Sequence, residues 1–293
     1  MQTVKEPLPT PTSQVTPWAW TENDVWPEGG ILLIYLLVGL MAGLASALLG
    51  IGAGVLIVPI LTGFLRVPLR RAIGISIVTV LGVVTVGVVS EALTTRNIQW
   101  VLAVFLAVGA QTGVWIGGRV GPKIPERLLR YAFMLILLFT AAKLANLLPV
   151  GPSFGLFPRE ALWSAWVLSV LLLGMLAGFL SVLLGIGGGV VVVPGLLFLI
   201  EGIGFRAARA TSLAMIIPTA LTGTLVHLWQ KNVLWRSVLS LVIPGFLGAV
   251  TGVVLANTVP SIWLRQLVFP IFLCIMIVRL GITNRIQKVS ARN

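Results

Sequence analysis

The sequence predicts an all-α polytopic membrane protein of 8–10 spans, built from two homologous repeats with broken helices at Gly-rich motifs. Three observations predict it. First, 58% of the 293 residues are hydrophobic and only 10% are charged, whereas soluble domains carry about 25% charged residues. Second, the apolar residues fall in long uninterrupted runs, most of them near the roughly 20 residues a helix needs to cross the hydrocarbon. Third, the second half of the chain repeats the first at a constant offset of 135 residues: Gly39, Gly43, Ser46, Gly50, Gly52, Gly54 and Pro59 recur as Gly174, Gly178, Ser181, Gly185, Gly187, Gly189 and Pro194.

Residues 1–28 are polar and proline-rich, with Trp18, Trp20 and Trp26 near their end. No basic stretch there leads into a short apolar run with a small-residue cleavage site, so the segment reads as a loose tail rather than a signal peptide. The first membrane repeat occupies residues 29–150. Its five apolar segments run from Ile31 to Leu49, Ala53 to Leu65, Ala72 to Leu93, Ile98 to Gly118 and Leu128 to Leu148. Residues 151–160, with Gly151, Pro152 and Pro158, form an inter-repeat loop. The second repeat, 161–284, supplies Ala161 to Leu184, Gly188 to Ile200, Ala207 to Leu228, Val233 to Ala256 and Ile262 to Ile282, and 285–293 is a basic tail. The second and seventh segments are too short to cross upright, and each directly follows a glycine cluster. The register persists downstream: Asn97 and Trp100 match Asn232 and Trp235, and Gly113 and Gly117 match Gly248 and Gly252.

Charge selects between two topologies. If all five segments of a repeat cross, the second repeat is inverted relative to the first. Starting from an inside N-terminus, only Arg96, Lys143, Arg159, Arg206, Arg209 and Arg265 then lie outside, and the other 14 of the 20 Lys and Arg lie inside. If the short segments only dip in and return, the split is 10 to 10. The retention of basic residues on the cytoplasmic face favours the inverted repeat. The formal charge of +12 is thus scattered through short loops. It makes no wettable basic face for nucleic acid.

The glycine clusters Gly50–Gly54 and Gly185–Gly189 carry the chemistry. Glycine allows backbone angles other residues avoid, so each cluster can break a helix. Broken backbone cannot face lipid and has to line a cavity enclosed by protein or water. The short helix after each break aims its free N–H groups and positive dipole end back at the break, which suits an anion. The candidate substrate-binding residues are therefore Ser46, Gly50, Gly52, Gly54, Ser181, Gly185, Gly187, Gly188 and Gly189. The competing reading is close helix packing over smooth glycine surfaces.

Other polar groups are sparse. Arg71 and Arg209, near the starts of the third and eighth segments, read as a corresponding pair attracting anions at two mouths, or as ordinary loop charges. His227 and Glu91, close to corresponding positions, are a candidate proton-coupling pair, or simply ionisable groups at the membrane boundary. Gln111, Thr79, Thr112, Thr211, Ser212, Thr219, Thr222 and Thr251 are candidates to line a path, or hydroxyls bonded to their own helix. Cys274 stands alone, and no Ser-His-Asp set, paired carboxylates, metal-ligand cluster or nucleotide-binding loop is present. No enzyme, cofactor or metal is expected.

At the two glycine motifs the chain resembles the TauE/SafE, or sulfite exporter (TSUP), family of bacterial permeases. The matching pattern is G-x-x-x-G-x-x-S-x-x-x-G-x-G-G-G-x-x-x-x-P, read from Gly39 to Pro59 and from Gly174 to Pro194; Ala53 departs from it where the second repeat has Gly188. The resemblance implies secondary transport, often export, of a small sulfur-containing anion such as sulfite or an organosulfonate across the cell membrane. The alternative is a passive channel or a permease for another small solute. The expected partners are the anion, the lipid bilayer, protons if transport is coupled, and a second copy if the chain forms a homo-oligomer.

Overall fold

The computed structural model describes residues 29–65, 67–120, 135, 138, 163–184, 187–200, 202–229 and 233–275. The N-terminal tail, the segment Leu128 to Leu148 apart from two positions, the inter-repeat loop, Gly185 and the C-terminal tail lie outside them. The described elements are helices: α1 Gly30–Leu49, α2 Gly54–Gly63, α3 Leu69–Thr94, α4 Trp100–Val120, α5 Trp163–Leu184, α6 Gly189–Leu199, α7 Phe205–Trp229, α8 Trp235–Thr258, and α9, which starts at Ser261–Trp263 and passes through a π-helical turn Leu264–Val268. Hydrocarbon offers no partner for backbone N–H and C=O, so apolar runs of this length bond within themselves as helices. Six of the described helices (α1, α3, α4, α5, α7 and α8) are long and apolar enough to cross a membrane. At about 1.5 Å per residue, the 10-residue α2 and 11-residue α6 cover roughly half of a 30 Å core.

Shifting α1–α4 by 135 residues lands them on α5–α8 with nearly the same bounds. The packing crosses between the halves. Along α1, Gly39 meets Leu241 and Pro244, Gly43 meets Gly245, and Leu44 and Ala47 meet Gly252. Along α4, Gly109 meets Leu171, Gly113 meets Met175, and Gly117 meets Phe179 and Val182. A Cβ at Gly39, Gly43, Gly109, Gly113, Gly174 or Gly178 would run into backbone of the partner helix. These glycines are the small-residue contacts that let helices approach where no hydrophobic effect drives them together. On the opposite sides, Leu33, Leu37 and Met41 of α1 and Ile243, Leu247 and Val254 of α8 are exposed, as lipid-facing stripes should be.

The same contacts fix helix directions. Residue numbers rise together across α1 and α8 and across α4 and α5, so each pair is parallel. They also rise together across α3 and α8, from Gly82 beside Val242 to Glu91 bonded to Asn257. Across α3 and α7 they run oppositely: Ile77 meets Gly223 while Glu91 meets Arg209. Numbers rise together from Gln99 bonded to Thr211 to Gln111 bonded to Pro218, so α4 is parallel to α7; hence α1 and α3 point the same way, and α4, α5 and α7 point the other way. Between the parallel helices α1 and α3, the chain returns through the break and α2. A segment that dipped in and came back to its own side would have left α1 and α3 antiparallel. Corresponding helices of the two halves run in opposite directions.

Candidate functional site

Each glycine cluster ends one long helix and starts one short one. Leu49 is the last residue of α1. Gly50 caps it in a left-handed conformation (φ 73°, ψ 21°), and its N–H donates to the Ser46 carbonyl at 2.8 Å. That is a common helix stop, and glycine meets its angles without a Cβ clash. Gly52 also has positive φ, 83°. Ala53 then turns to ordinary helical angles (φ −62°, ψ −22°) and α2 begins. In the second half, Gly187 has φ 87°, closely matching its counterpart Gly52. Gly188 departs from its counterpart Ala53, with φ 76° and ψ −20°. The one substitution in the motif therefore falls where the two backbones differ: alanine accepts the helical angles but not the left-handed ones.

The starts of α2 and α6 have no side-chain caps. Leu56 and Ile57 N–H reach the Ala53 carbonyl at 3.2 Å, and Val191 and Val192 N–H reach that of Gly188 at 3.1 and 3.3 Å. Gly54 and Val55, and likewise Gly189 and Val190, are the first-turn donors that no carbonyl one turn earlier can satisfy. The two breaks touch. A Cβ built on Gly187 lies 3.7 Å from the Gly52 Cα and the Ile51 carbonyl oxygen. One on Gly189 lies 2.9 Å from the Ile51 Cα and the Ser212 Oγ, and closer still to the Gly50 carbonyl oxygen. Residues 50–54 and 187–189 are buried.

Helix α7 runs along this seam. Ser212 donates to the Gly50 carbonyl at 2.8 Å, Ile216 packs near Gly187, and the Arg209 Cα and Cγ lie over Gly50. The spacing 209, 212, 216 puts all three on one helical face.

Arg209 is therefore neither at a mouth nor in a loop. It sits within α7, is wholly buried, and forms an ion pair with Glu91 at 2.5 Å, Nη2 to Oε2, with both side chains at 0% exposure. Its Nη1 donates to the Ala47 carbonyl at 2.6 Å, placing a cation at the carbonyl end of α1. Nor is Arg209 the counterpart of Arg71. The 135-residue offset pairs Arg71 with Arg206 and Arg209 with Gly74. Arg71 stands in the first turn of α3, at the far end of that helix from Glu91. The proposed partnership of Glu91 with His227 also fails on geometry. Because α3 and α7 are antiparallel, Glu91 faces residue 209. His227 lies 18 residues further along α7, about 27 Å at 1.5 Å per residue. In oppositely directed halves, matched positions go to opposite ends. Ser46 and Ser181 are both buried, and the Ser46 Oγ has no hydrogen-bond partner among the described residues.

Glu91 is embedded in a polar set that the sequence reading did not assemble. Its Oε1 accepts from Thr95 Oγ1 at 2.6 Å and Asn97 Nδ2 at 3.2 Å, and its Oε2 accepts from Asn257 Nδ2 at 3.3 Å. The usable signal was present: Glu91 is the only acidic residue in the described helices, and an ionisable group at membrane depth calls for a partner. A second cross-link joins the halves where Gln111 Nε2 donates to the Pro218 carbonyl at 3.0 Å and Thr222 Oγ1 at 2.7 Å.

The chain matches the family described as sulfite exporter TauE/SafE over residues 15–144 and 170–293. It is 24% identical over 239 residues to the probable membrane transporter protein YdhB of Bacillus subtilis, covering 82% of this chain and 94% of that protein. It is 26% identical over 242 residues to the probable membrane transporter protein YunE of the same organism, covering 75% and 86%. A probable membrane transporter protein of Methanocaldococcus jannaschii is 26% identical over 209 residues, covering 69% and 74%.

Proposed function

The chain belongs to the sulfite exporter TauE/SafE family, a family of multi-pass membrane transporters, and from that premise we propose that it carries a small sulfur-containing oxyanion, sulfite or an organosulfonate, outward across the cell membrane. The binding centre is the seam between the two broken helices. The N-termini of α2 and α6 present the first-turn N–H groups of Gly54, Val55, Gly189 and Val190 there, with Ser46 and Ser181 as hydroxyl donors. The observation that carries this reading is the contact of the two uncapped breaks, Gly187 against Gly52 and Gly189 against Gly50. A pair of uncapped N-termini is a ready anion site, and broken helices at a repeat interface are where secondary transporters hold their substrates.

The outward direction is taken from the family's description as sulfite exporters. Arg71 at the start of α3, Arg119 at the end of α4 and Arg236 at the start of α8 share one end of the bundle, while Arg96, Arg206 and Arg209 lie toward the other. The seam is buried, so anion entry requires the halves to move about it. Reconstituted liposomes loaded with sulfite test the reading. The expected result is saturable efflux that a small sulfonate competes away and that Gly189→Ala slows roughly 5- to 150-fold. Flux proportional to concentration without saturation, unchanged by that variant, marks a passive pore and sinks the proposal.

A further inference from the structure

The Arg209–Glu91 pair is costly for a mere staple. Two charges leave water at 0% exposure, and a buried pair is often no more stable than apolar residues of similar volume. Its geometry is also incomplete. A guanidinium and a carboxylate that exist only to hold each other tend to meet through two parallel bonds. Here the hydrogen bond between them is a single one, Nη2 to Oε2, because Oε1 is turned toward Thr95 and Asn97. Arg209 Nε is buried with no acceptor. A donor of a buried guanidinium is thus left over, on a side chain whose Cγ lies against Gly50 in the seam.

The carboxylate side shows a matching vacancy. Asn257 uses its Nδ2 toward Glu91 Oε2 and toward the Val253 carbonyl at 3.0 Å, while its Oδ1 is buried with no donor. A protonated Glu91 has an O–H to give, and the amide of Asn257, turned about its axis, is an acceptor at the right place. The set can therefore exist in two satisfied forms. In one, an ionised Glu91 holds Arg209. In the other, a neutral Glu91 bonds to Asn257 and Arg209 is free for another anion. At the matching positions of the opposite halves stand Gly74 in the first repeat, for Arg209, and Val226 in the second, for Glu91, so this device exists once per chain.

We propose that Arg209 is the cationic partner of the transported oxyanion and Glu91 its built-in competitor, so that the anion loads onto Arg209 together with one proton on Glu91. This rests on the reading of the seam as an anion-binding centre and adds to it the coupling ion. An anion that displaces Glu91 without a proton leaves a buried carboxylate unpaired, the strongly unfavourable outcome for a broken buried pair. With the proton, the charge of the site is conserved when the anion carries a single charge: Arg209 with ionised Glu91 becomes Arg209 with the anion and neutral Glu91. The groups facing Glu91 are Arg209 from α7, Thr95 and Asn97 from the α3–α4 connection and Asn257 from α8. Arg206, one turn earlier on α7, is held at the Val259 carbonyl at 3.1 Å and keeps the surroundings positive in both forms.

The test is calorimetric titration of the purified full-length protein with methanesulfonate, sulfate and sulfite. The first two keep their charge near neutral pH, so running each in two buffers of different ionisation enthalpy counts the protons taken up per anion. About one proton is expected for wild type, with affinity falling about tenfold per pH unit on the alkaline side. Glu91→Gln is expected to take up none and to bind with little pH dependence. Arg209→Gln is expected to bind at least about tenfold more weakly. Anion binding with no proton uptake in wild type overturns the inference and leaves the anion-carrier reading standing. Uptake that persists in Glu91→Gln, or full affinity in Arg209→Gln, overturns it equally. If none of the three anions binds, the carrier reading falls and the inference with it. The wild-type proton count decides even if a variant does not fold.

Discussion

Gly189→Ala is a one-carbon wedge between the two broken helices. The backbone there has ordinary angles, so the substitution brings no conformational strain of its own. The new Cβ lies 2.9 Å from both the Ile51 Cα and the Ser212 Oγ, and closer to the Gly50 carbonyl. Non-bonded carbon contacts settle at about 3.5–4.0 Å, so the breaks must part by at least about half an ångström. Overpacking of this kind costs roughly 1–3 kcal/mol. If all of it falls on the transport-competent arrangement, initial rates drop roughly 5- to 150-fold. Two comparators isolate the cause. Gly187→Ala brings strain without collision, since its φ is 87° but its nearest neighbours are 3.7 Å away. It should lose roughly 1–2 kcal/mol and transport less severely than Gly189→Ala. Gly202→Ala is similarly strained at φ 77° but has open space around it, in the loop between α6 and α7. It should lower thermal stability and leave transport intact. The assay is initial sulfite flux in proteoliposomes, paired with a melting curve in detergent. If Gly189→Ala matches wild type in rate while folding normally, the breaks do not need to touch, and the reasoning from their contact is wrong.

Three more outcomes follow from particular contacts. Arg209→Met leaves Glu91 buried and unpaired and should destabilise by about 3–5 kcal/mol; the double variant with Glu91→Gln should cost less than the sum of the singles, read from melting curves of all three. Ser212→Ala removes the hydroxyl bonded to the Gly50 carbonyl and should cost about 1 kcal/mol, seen as a small melting shift and a several-fold slower flux; an unchanged flux would count against α7 shaping the seam. Gly113→Leu drives a side chain into the Met175 carbonyl carbon and Phe179 nitrogen, both 2.8 Å from its Cβ, whereas Gly118→Leu on another face of α4 meets nothing within 4 Å. Gel filtration should show the first variant aggregated and the second like wild type.

The helical membrane architecture was legible because the apolar runs are long and their ends are marked by glycine, proline and charge. The breaks were legible too, since two glycine clusters recur at one offset before two short segments. What composition could not do was divide the glycines by task. Gly39, Gly43, Gly174 and Gly178 turn out to be helix-packing contacts, while Gly52, Gly187 and Gly188 hold positive-φ turns. The motif thus combines a packing stretch with the helix break that follows it. The ion pair was hidden for another reason. Glu91 and Arg209 are 118 residues apart, and the repeat offset joins neither to the other. Only the antiparallel packing of α3 on α7 brings them together. The same packing separates Glu91 from His227, which look adjacent when the halves are superposed as sequences.

The central claim is that an oxyanion binds between two uncapped helix starts. Anomalous diffraction from crystals grown with selenate, a heavier analogue of the sulfur oxyanions, tests it most directly. The account predicts a selenium peak within hydrogen-bond distance of the Gly54–Val55 and Gly189–Val190 amides, beside Arg209. A selenium peak elsewhere in the bundle, with the seam still closed on itself, would contradict it.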